Sequence, residues 1–372
     1  MEASGLRVGL VGPMPPPSGG MANQTLQLAK LLRDEGVTVE LIQMNRPYCP
    51  RWIGKVRGVR AIFRLLPYLV QLWQSANNVQ LYHVMANSGW SWHLFAAPAI
   101  WIARIRGKPV VVNYRGGEAN AFFEKAHRWI RPSLRRADAI IVPSGFLEAV
   151  FGKYGFLADI VPNIINLTRF SPDTSFSPAE EISPPCILVA RNLEPIYDNA
   201  GALHAFAIVR RSFPAARLIV AGSGPERQAL QALATELGLA DAVTFTGRVD
   251  NQDMAALYRS ADVMINPSLV DNMPNSILEA LASGVPVVST NVGGVPYLVE
   301  HEKTALLVPA QNPAAMADAI LALFNDPATA KRIRQAGLES VQQYTWARVK
   351  NRLLQVYEKI LTERNTPMVD TN

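Results

Sequence analysis

From Leu6 to Val308 the chain alternates short aliphatic runs with longer segments of helical period. Alternation of this kind leaves one common solution, a parallel sheet buried on both faces by the helices that connect its strands. Strands are predicted in the first half at Leu6–Val11, Val37–Ile42, Val79–Val84, Pro109–Asn113 and Ala139–Val142. In the second half they are predicted at Cys186–Ala190, Arg217–Ala221, Val243–Thr246, Val263–Asn266, Val285–Ser289 and Ala305–Val308. The length calls for two domains, since 372 residues exceed one typical domain. An apolar fraction of 49% suffices for two cores. Between the halves, Ser171–Pro185 is rich in Ser and Pro and has no period, which reads as a linker. Residues 1–168 and 169–345 are read as two doubly wound α/β domains, followed by a terminal helical segment at 346–372. In that segment Trp346–Leu361 is amphipathic, with Val349, Leu353, Val356 and Ile360 on one face.

Charge narrows the partners. Residues 1–165 carry 19 Lys/Arg against 9 Asp/Glu, and residues 166–372 carry 17 against 21. From Leu41 to Gly117 there are ten basic residues and no acid. The first half thus attracts something anionic. No recognised nucleic-acid-binding module is present, so nucleic acid is not the expected partner. Cys49 and Cys186 are far apart and lack metal-ligand spacing, which points to a reducing compartment. Leu6–Val11 already reads as a strand, so no signal peptide is expected. The best candidate for a membrane span, Trp90–Ala103, is short and interrupted by Ser91, His93 and Pro98.

The chemistry concentrates between Ser268 and Ser289. Asp271 precedes a turn that contains Pro274, and Glu279 lies within the helix that follows. Proline suits the first helical position, where its missing N–H costs nothing. The amides of Asn275, Ser276 and Ile277 are then expected at the positive end of the helix dipole, where a phosphate binds. Glu279 is about one turn further on and reaches hydroxyls beside that phosphate. Gly284 ends the helix before a buried strand. These elements suit a nucleotide diphosphate-sugar.

This stretch resembles the acid-x7-acid signature of retaining GT-B glycosyltransferases of the large family 4 (group 1), which includes sucrose synthases and mannosyltransferases. The match extends through Leu278-Glu279-Ala280-Leu281-Ala282 and Gly284-Val285-Pro286-Val287-Val288. The resemblance implies a GT-B fold, with two Rossmann-like domains facing a central cleft. The first would bind the acceptor, the second the nucleotide-sugar, and the last helix would cross back to the first. It implies that Asp271, where the family usually has Glu, contacts the donor sugar, and that Glu279 contacts the ribose hydroxyls.

Further site residues follow from the same resemblance. Gly19 and Gly20, after the first strand, match a Gly-Gly loop that lets backbone approach phosphate, although a plain tight turn is the other reading. Arg191 matches an Arg on the donor diphosphate, where a planar guanidinium grips two oxygens at once. The Lys that usually follows is missing, because the chain reads Ile196-Tyr197-Asp198, and Arg248 is the candidate helper. Gly222 and Gly224 match a glycine turn near the nucleotide, and Gly247-Arg248-Val249 a segment near the base. Arg115 stands where many relatives have a His near the reacting sugar. It cannot act as a general base, but it can stabilise negative charge on a leaving phosphate or an acidic acceptor. His83 and Glu118 are candidates on the acceptor side, and a purely structural His83 is at least equally open.

Arg51–Trp73, read as a helix, sets Arg57, Arg60 and Arg64 on one stripe and Val56, Val59, Phe63 and Leu66 on a neighbouring one. Trp52, Tyr68 and Trp73 suit a headgroup interface. Docking of the three arginines on an anionic membrane is expected; the alternative is a solvated helix whose apolar stripe packs on the sheet. The sequence thus describes a cytoplasmic enzyme, peripheral at the inner face of the cell membrane. It would transfer a sugar with retention from a UDP-linked donor to a lipid-linked or saccharide acceptor, in envelope or exopolysaccharide synthesis. No cofactor or metal is expected: no Asp-x-Asp motif stands in a suitable place, and GT-B enzymes generally need no metal. Two alternatives stay open. One is a nucleotide-sugar epimerase of similar fold; the other is a non-catalytic module that binds nucleotide-sugar, which the missing Lys and the His-to-Arg change keep open.

Overall fold

The computed structural model describes residues 5–16, 19–48, 60–172 and 184–365. Contacts divide the chain into two units, residues 1–163 with 346–372, and residues 164–345. The expected linker at Ser171–Pro185 falls largely at 173–183, outside the described residues.

The first unit is built on β1 (Arg7–Gly12), β2 (Thr38–Gln43), β3 (Leu81–Ala86), β4 (Val110–Tyr114), β5 (Ala139–Val142) and β6 (Asp159–Ile160). All neighbouring strands run parallel, in the order β2-β1-β3-β4-β5-β6. β3 and β4 are buried along their whole length, which is why they read as unbroken apolar runs. β6 has no counterpart among the predicted strands; two residues carry no period to read. The helix Trp346–Asn365 belongs to this unit. It buries Val349, Leu353, Val356, Tyr357 and Ile360. Lys350 Nζ lies 3.0 Å from Glu35 Oε1, and Trp346 Nε1 donates to the same oxygen at 2.9 Å. Lys350 thereby holds the Glu35 carboxyl below its usual range.

The helix Arg60–Ser75 covers the described part of the basic stretch. It buries Tyr68 and Leu72 and turns Ile62, Phe63, Leu66, Val70 and Trp73 outward, with Leu66 57% exposed. Phe63 and Leu66 of the expected apolar stripe therefore do not pack on the sheet. Arg64 is half-buried, its guanidinium 4.2 Å from the Tyr48 ring centroid, so it is not a free surface charge. Arg57, Trp52, Val56, Val59 and Cys49 lie outside the described residues, and the Arg60 side chain is not described.

The second unit is built on β7 (Cys186–Val189), β8 (Arg217–Ala221), β9 (Val243–Gly247), β10 (Val263–Asn266), β11 (Val287–Thr290) and β12 (Leu306–Val308). These are also parallel, in the order β12-β11-β10-β7-β8-β9. Ile187, Val189, Leu218, Val220, Val263, Ile265 and Val288 supply one buried face of this sheet, and Leu188, Met264 and Val287 supply the other. Each sheet has one place where neighbouring strands send their connections to opposite sides: between β1 and β3 in the first, and between β7 and β10 in the second. The carboxyl ends at such a point flank a crevice and are where open α/β sheets bind ligands.

Candidate active site

In the second unit the residues just past β7 and β10 meet. Arg191 Nη2 donates to Asp271 Oδ2, and the two side chains are only 10% and 11% exposed. Arg191 Nη1 reaches Ser276 Oγ at 3.4 Å, and the Tyr197 ring centroid lies 4.1 Å from the guanidinium. Where the family's second cation is missing, this chain offers an aromatic face under Arg191. Arg191 Nε is buried without a partner among the described residues, a donor left for an incoming anion.

Glycines let the backbone close around this pair. A Cβ on Gly222 would lie 1.9 Å from the Arg191 carbonyl oxygen, and one on Gly224 2.2 Å from that of Leu193. On the other flank, Gly293 has φ +51°, and a Cβ there would lie 2.1 Å from the Asp271 carbonyl oxygen. A Cβ on Gly294 would lie 1.9 Å from the carbonyl oxygen of Asn272. Gly293 and Gly294 are absent from the sequence reading, although a Gly-Gly pair three residues past a buried strand was the available signal. Beneath them, Asn266 Nδ2 donates to Ser289 Oγ at 3.0 Å and Ser268 Oγ donates to Asn266 Oδ1 at 2.7 Å. All three side chains are buried, so this network fixes the ends of β10 and β11.

The helix Asn275–Ala282 begins one residue later than expected: Pro274 is its N-cap, with ψ 120°. The Ile277 amide donates to the Pro274 carbonyl at 3.2 Å, so Ile277 is not among the amides left for a ligand, and half-buried Asn275 and buried Ser276 open the helix. One turn on, Glu279 Oε2 accepts from Tyr258 Oη at 2.9 Å. Burial pushes the Glu279 carboxyl up to about 7, against the opposing pull of Tyr258, Arg169 and Arg191. Tyr258 is a site residue that sequence reasoning missed. Arg248 is exposed on the loop after β9, the edge strand. Two strand spacings, about 10 Å, separate β9 from β7.

In the first unit Arg115 follows β4. Its Nε donates to Asn113 Oδ1 at 3.0 Å, and its Nη1 donates to Gln24 Oε1 at 2.6 Å and to Asn163 Oδ1. Among the described residues no carboxylate pairs with it, and burial lowers the guanidinium to about 10. Asn113 Nδ2 donates in turn to His83 Nε2 at 2.9 Å, and His83 Nδ1 lies 2.7 Å from Tyr357 Oη. His83 is therefore a buried histidine with both ring nitrogens held, lowered to about 3 by burial; the candidate role of His83 as an acceptor-side group is corrected to a structural one. Glu118 is exposed at the N-cap of the helix Ala119–Leu134. Gly19 is the extended N-cap of the helix Gly20–Asp34, and a Cβ on Gly19 or Gly20 would meet nothing within 4 Å.

The profile described as Glycosyl transferases group 1 matches residues 172–340, and that of Glycosyltransferase Family 4 matches residues 18–169. The chain belongs to the group 1, family 4 glycosyltransferases. This glycosyltransferase is 26% identical to the phosphatidyl-myo-inositol mannosyltransferase of Mycobacterium leprae, over 96% of its own length and 98% of that protein. It is 31% identical to a GDP-mannose-dependent alpha-(1-6)-phosphatidylinositol monomannoside mannosyltransferase of Mycobacterium tuberculosis, over 58% of its own length and 61% of that protein. Among solved structures it matches sucrose-phosphate synthase from Thermosynechococcus elongatus with a TM-score of 0.73 at 21% identity, covering 96% of this chain and 100% of that one. It matches Anabaena HepE, solved with UDP, with a TM-score of 0.74 at 17% identity, covering 95% and 100%. The glycosyltransferase has the GT-B fold, with one Rossmann-like sheet in each unit.

Proposed function

We propose that this glycosyltransferase moves a sugar, with retention, from a nucleotide-sugar to a lipid-linked or saccharide acceptor. The observation that carries the reading is the junction of Arg191, Asp271 and Ser276 at the switch point of the second sheet. The diphosphate sits on Arg191 and the helix start at Asn275 and Ser276, Asp271 contacts the sugar, and Glu279 takes the ribose hydroxyls. The acceptor attacks from the face the phosphate leaves, and the leaving phosphate takes the acceptor proton. The protein's part is positioning and neutralising charge. A guanidinium and helix amides supply the positive charge, so the reading includes no metal or other cofactor. Two mycobacterial relatives are named as GDP-mannose-dependent, which supports GDP-mannose ahead of the UDP-sugar expected from the sequence. Relatives named for phosphatidylinositol substrates support a lipid acceptor and a setting in envelope glycolipid or polysaccharide synthesis.

The same reading puts the enzyme at the inner membrane face. No helix among the described residues is long and apolar enough to cross a membrane. Attachment instead uses the outward stripe of Ile62, Leu66, Val70 and Trp73, in a segment that lacks acids. The test is an assay of purified protein with labelled GDP-mannose, UDP-glucose and vesicles of phosphatidylinositol and phosphatidylglycerol. Labelled lipid with retained configuration is expected. An epimerised sugar nucleotide would identify an epimerase, and donor binding without transfer to lipid or saccharide would identify a binding module. In the same vesicles, Leu66→Glu combined with Val70→Glu should weaken co-sedimentation at least about 100-fold, since each buried aliphatic side chain contributes about 1.5–3 kcal/mol. Unchanged co-sedimentation would remove the stripe from the membrane.

A further inference from the structure

Trp90 is 78% exposed at the carboxyl edge of the first sheet, four residues past the end of β3. Exposing an indole there forgoes the large burial such a ring normally gains. The ring is not isolated: Trp90 meets His93 edge-on with centroids 6.2 Å apart, and His93 meets Phe122 at 6.0 Å. His93 lies in a π-helical turn at Trp92–Ala96, a distortion often found at functional sites. The cluster lies beside the carboxyl ends of β3 and β4. A Cβ on Gly116 would lie 2.4 Å from Ser88 Oγ and 2.8 Å from Asn87 Oδ1, so the loops after β3 and β4 touch directly before Trp90. Arg115, whose amide donates to the Ala86 carbonyl at 2.9 Å, stands at that junction.

We infer that Trp90, backed by His93 and Phe122, is a stacking platform for a hydroxylated ring of the acceptor, a pyranose or a cyclitol. The identity of that ring as acceptor rests on the transfer reading above. Such rings have one face of C–H groups and a rim of hydroxyls. The indole fits the face, and the polar side chains of Asn87, Ser88 and Glu118 suit the rim. Glu118 decides against an anionic lipid surface at this spot, because it adds an exposed carboxylate at the N-cap of the helix that carries Phe122. The outward stripe on Arg60–Ser75 carries no such acid.

The test uses full-length protein with 5-fluorotryptophan at its seven tryptophans, the Trp90 resonance being assigned by Trp90→Phe. The probes are methyl α-D-mannopyranoside and myo-inositol at millimolar concentration, and phosphatidylglycerol vesicles. The platform predicts a saturable shift of the Trp90 resonance by at least one ring probe. It also predicts saturation transfer to the ring C–H protons that is lost in Trp90→Ala and kept in Trp90→Phe. With an acceptor in turnover, Trp90→Ala should raise the acceptor KM about tenfold or more, as for loss of one aromatic anchor, with donor KM unchanged. No shift by either ring probe overturns the inference, and so does a Trp90 resonance that responds to vesicles alone. Ring binding without any transfer would leave the platform standing and sink the transfer reading instead.

Discussion

Arg191→Ala should lower kcat by about 10²–10³-fold, the cost of removing one donor aimed at charge that develops on a leaving group. It should also destabilise the protein, because Asp271 keeps a nearly buried carboxylate with its partner gone. The two effects separate in a second variant: Arg191→Ala with Asp271→Asn should regain most of the melting temperature and none of the activity. Arg191→Lys keeps the charge but loses the fork and the flat stack on Tyr197, and should still cost about tenfold or more in kcat/KM. Activity equal to wild type in Arg191→Lys would show that another group neutralises the diphosphate.

Donor affinity should rise with pH through about 7, and Glu279 should be the cause. Burial raises this carboxyl above its ordinary 4.5, so the folded apoprotein holds a proton there that the unfolded chain has already lost. Stability from Glu279 is therefore fully present at acid pH and fades as pH rises from about 4.5 past about 7. Ribose hydroxyls donate to the ionised form, so binding expels the proton and strengthens as the carboxyl ionises. Glu279→Ala should weaken donor binding at least about tenfold at pH 8, the loss of a charged hydrogen bond of about 1.5–3 kcal/mol. Glu279→Gln should flatten the pH dependence and stabilise the apoprotein more at pH 8 than at pH 5. Calorimetric titrations across that range check both; a Glu279→Gln protein with the wild-type slope would take the ribose away from Glu279.

The strands were legible because parallel strands buried on both faces are written as plain aliphatic runs; Ala139–Val142, Arg217–Ala221 and Val263–Asn266 have the predicted bounds. Arg191 and Asp271 were legible singly, each through its match to the family's motif. Their pairing was not, since a spacing of 80 residues is set by sheet order, and local pattern does not encode sheet order. Tyr258 was invisible for the same reason: it lies on a different helix from Glu279. The outward stripe of Arg60–Ser75 shows a different limit. That helix is apolar on both sides, with Tyr68 and Leu72 inward and Leu66 and Val70 outward, and periodicity gives a stripe without saying which way it faces. His83 lay open between two roles until its partners, Asn113 and Tyr357, were known, the latter 274 residues away in sequence.

The central claim is that the donor seats at the switch point of the second sheet, and hydrogen exchange of the full chain with and without saturating GDP-mannose or UDP-glucose tests it most directly. Protection is predicted at Arg191–Leu193, at Gly222–Gly224 and from Asp271 to Glu279, where backbone and helix amides meet the diphosphate and ribose. Protection confined to residues 1–163, or exchange unchanged at all three segments under a ligand that raises the melting temperature, would contradict it.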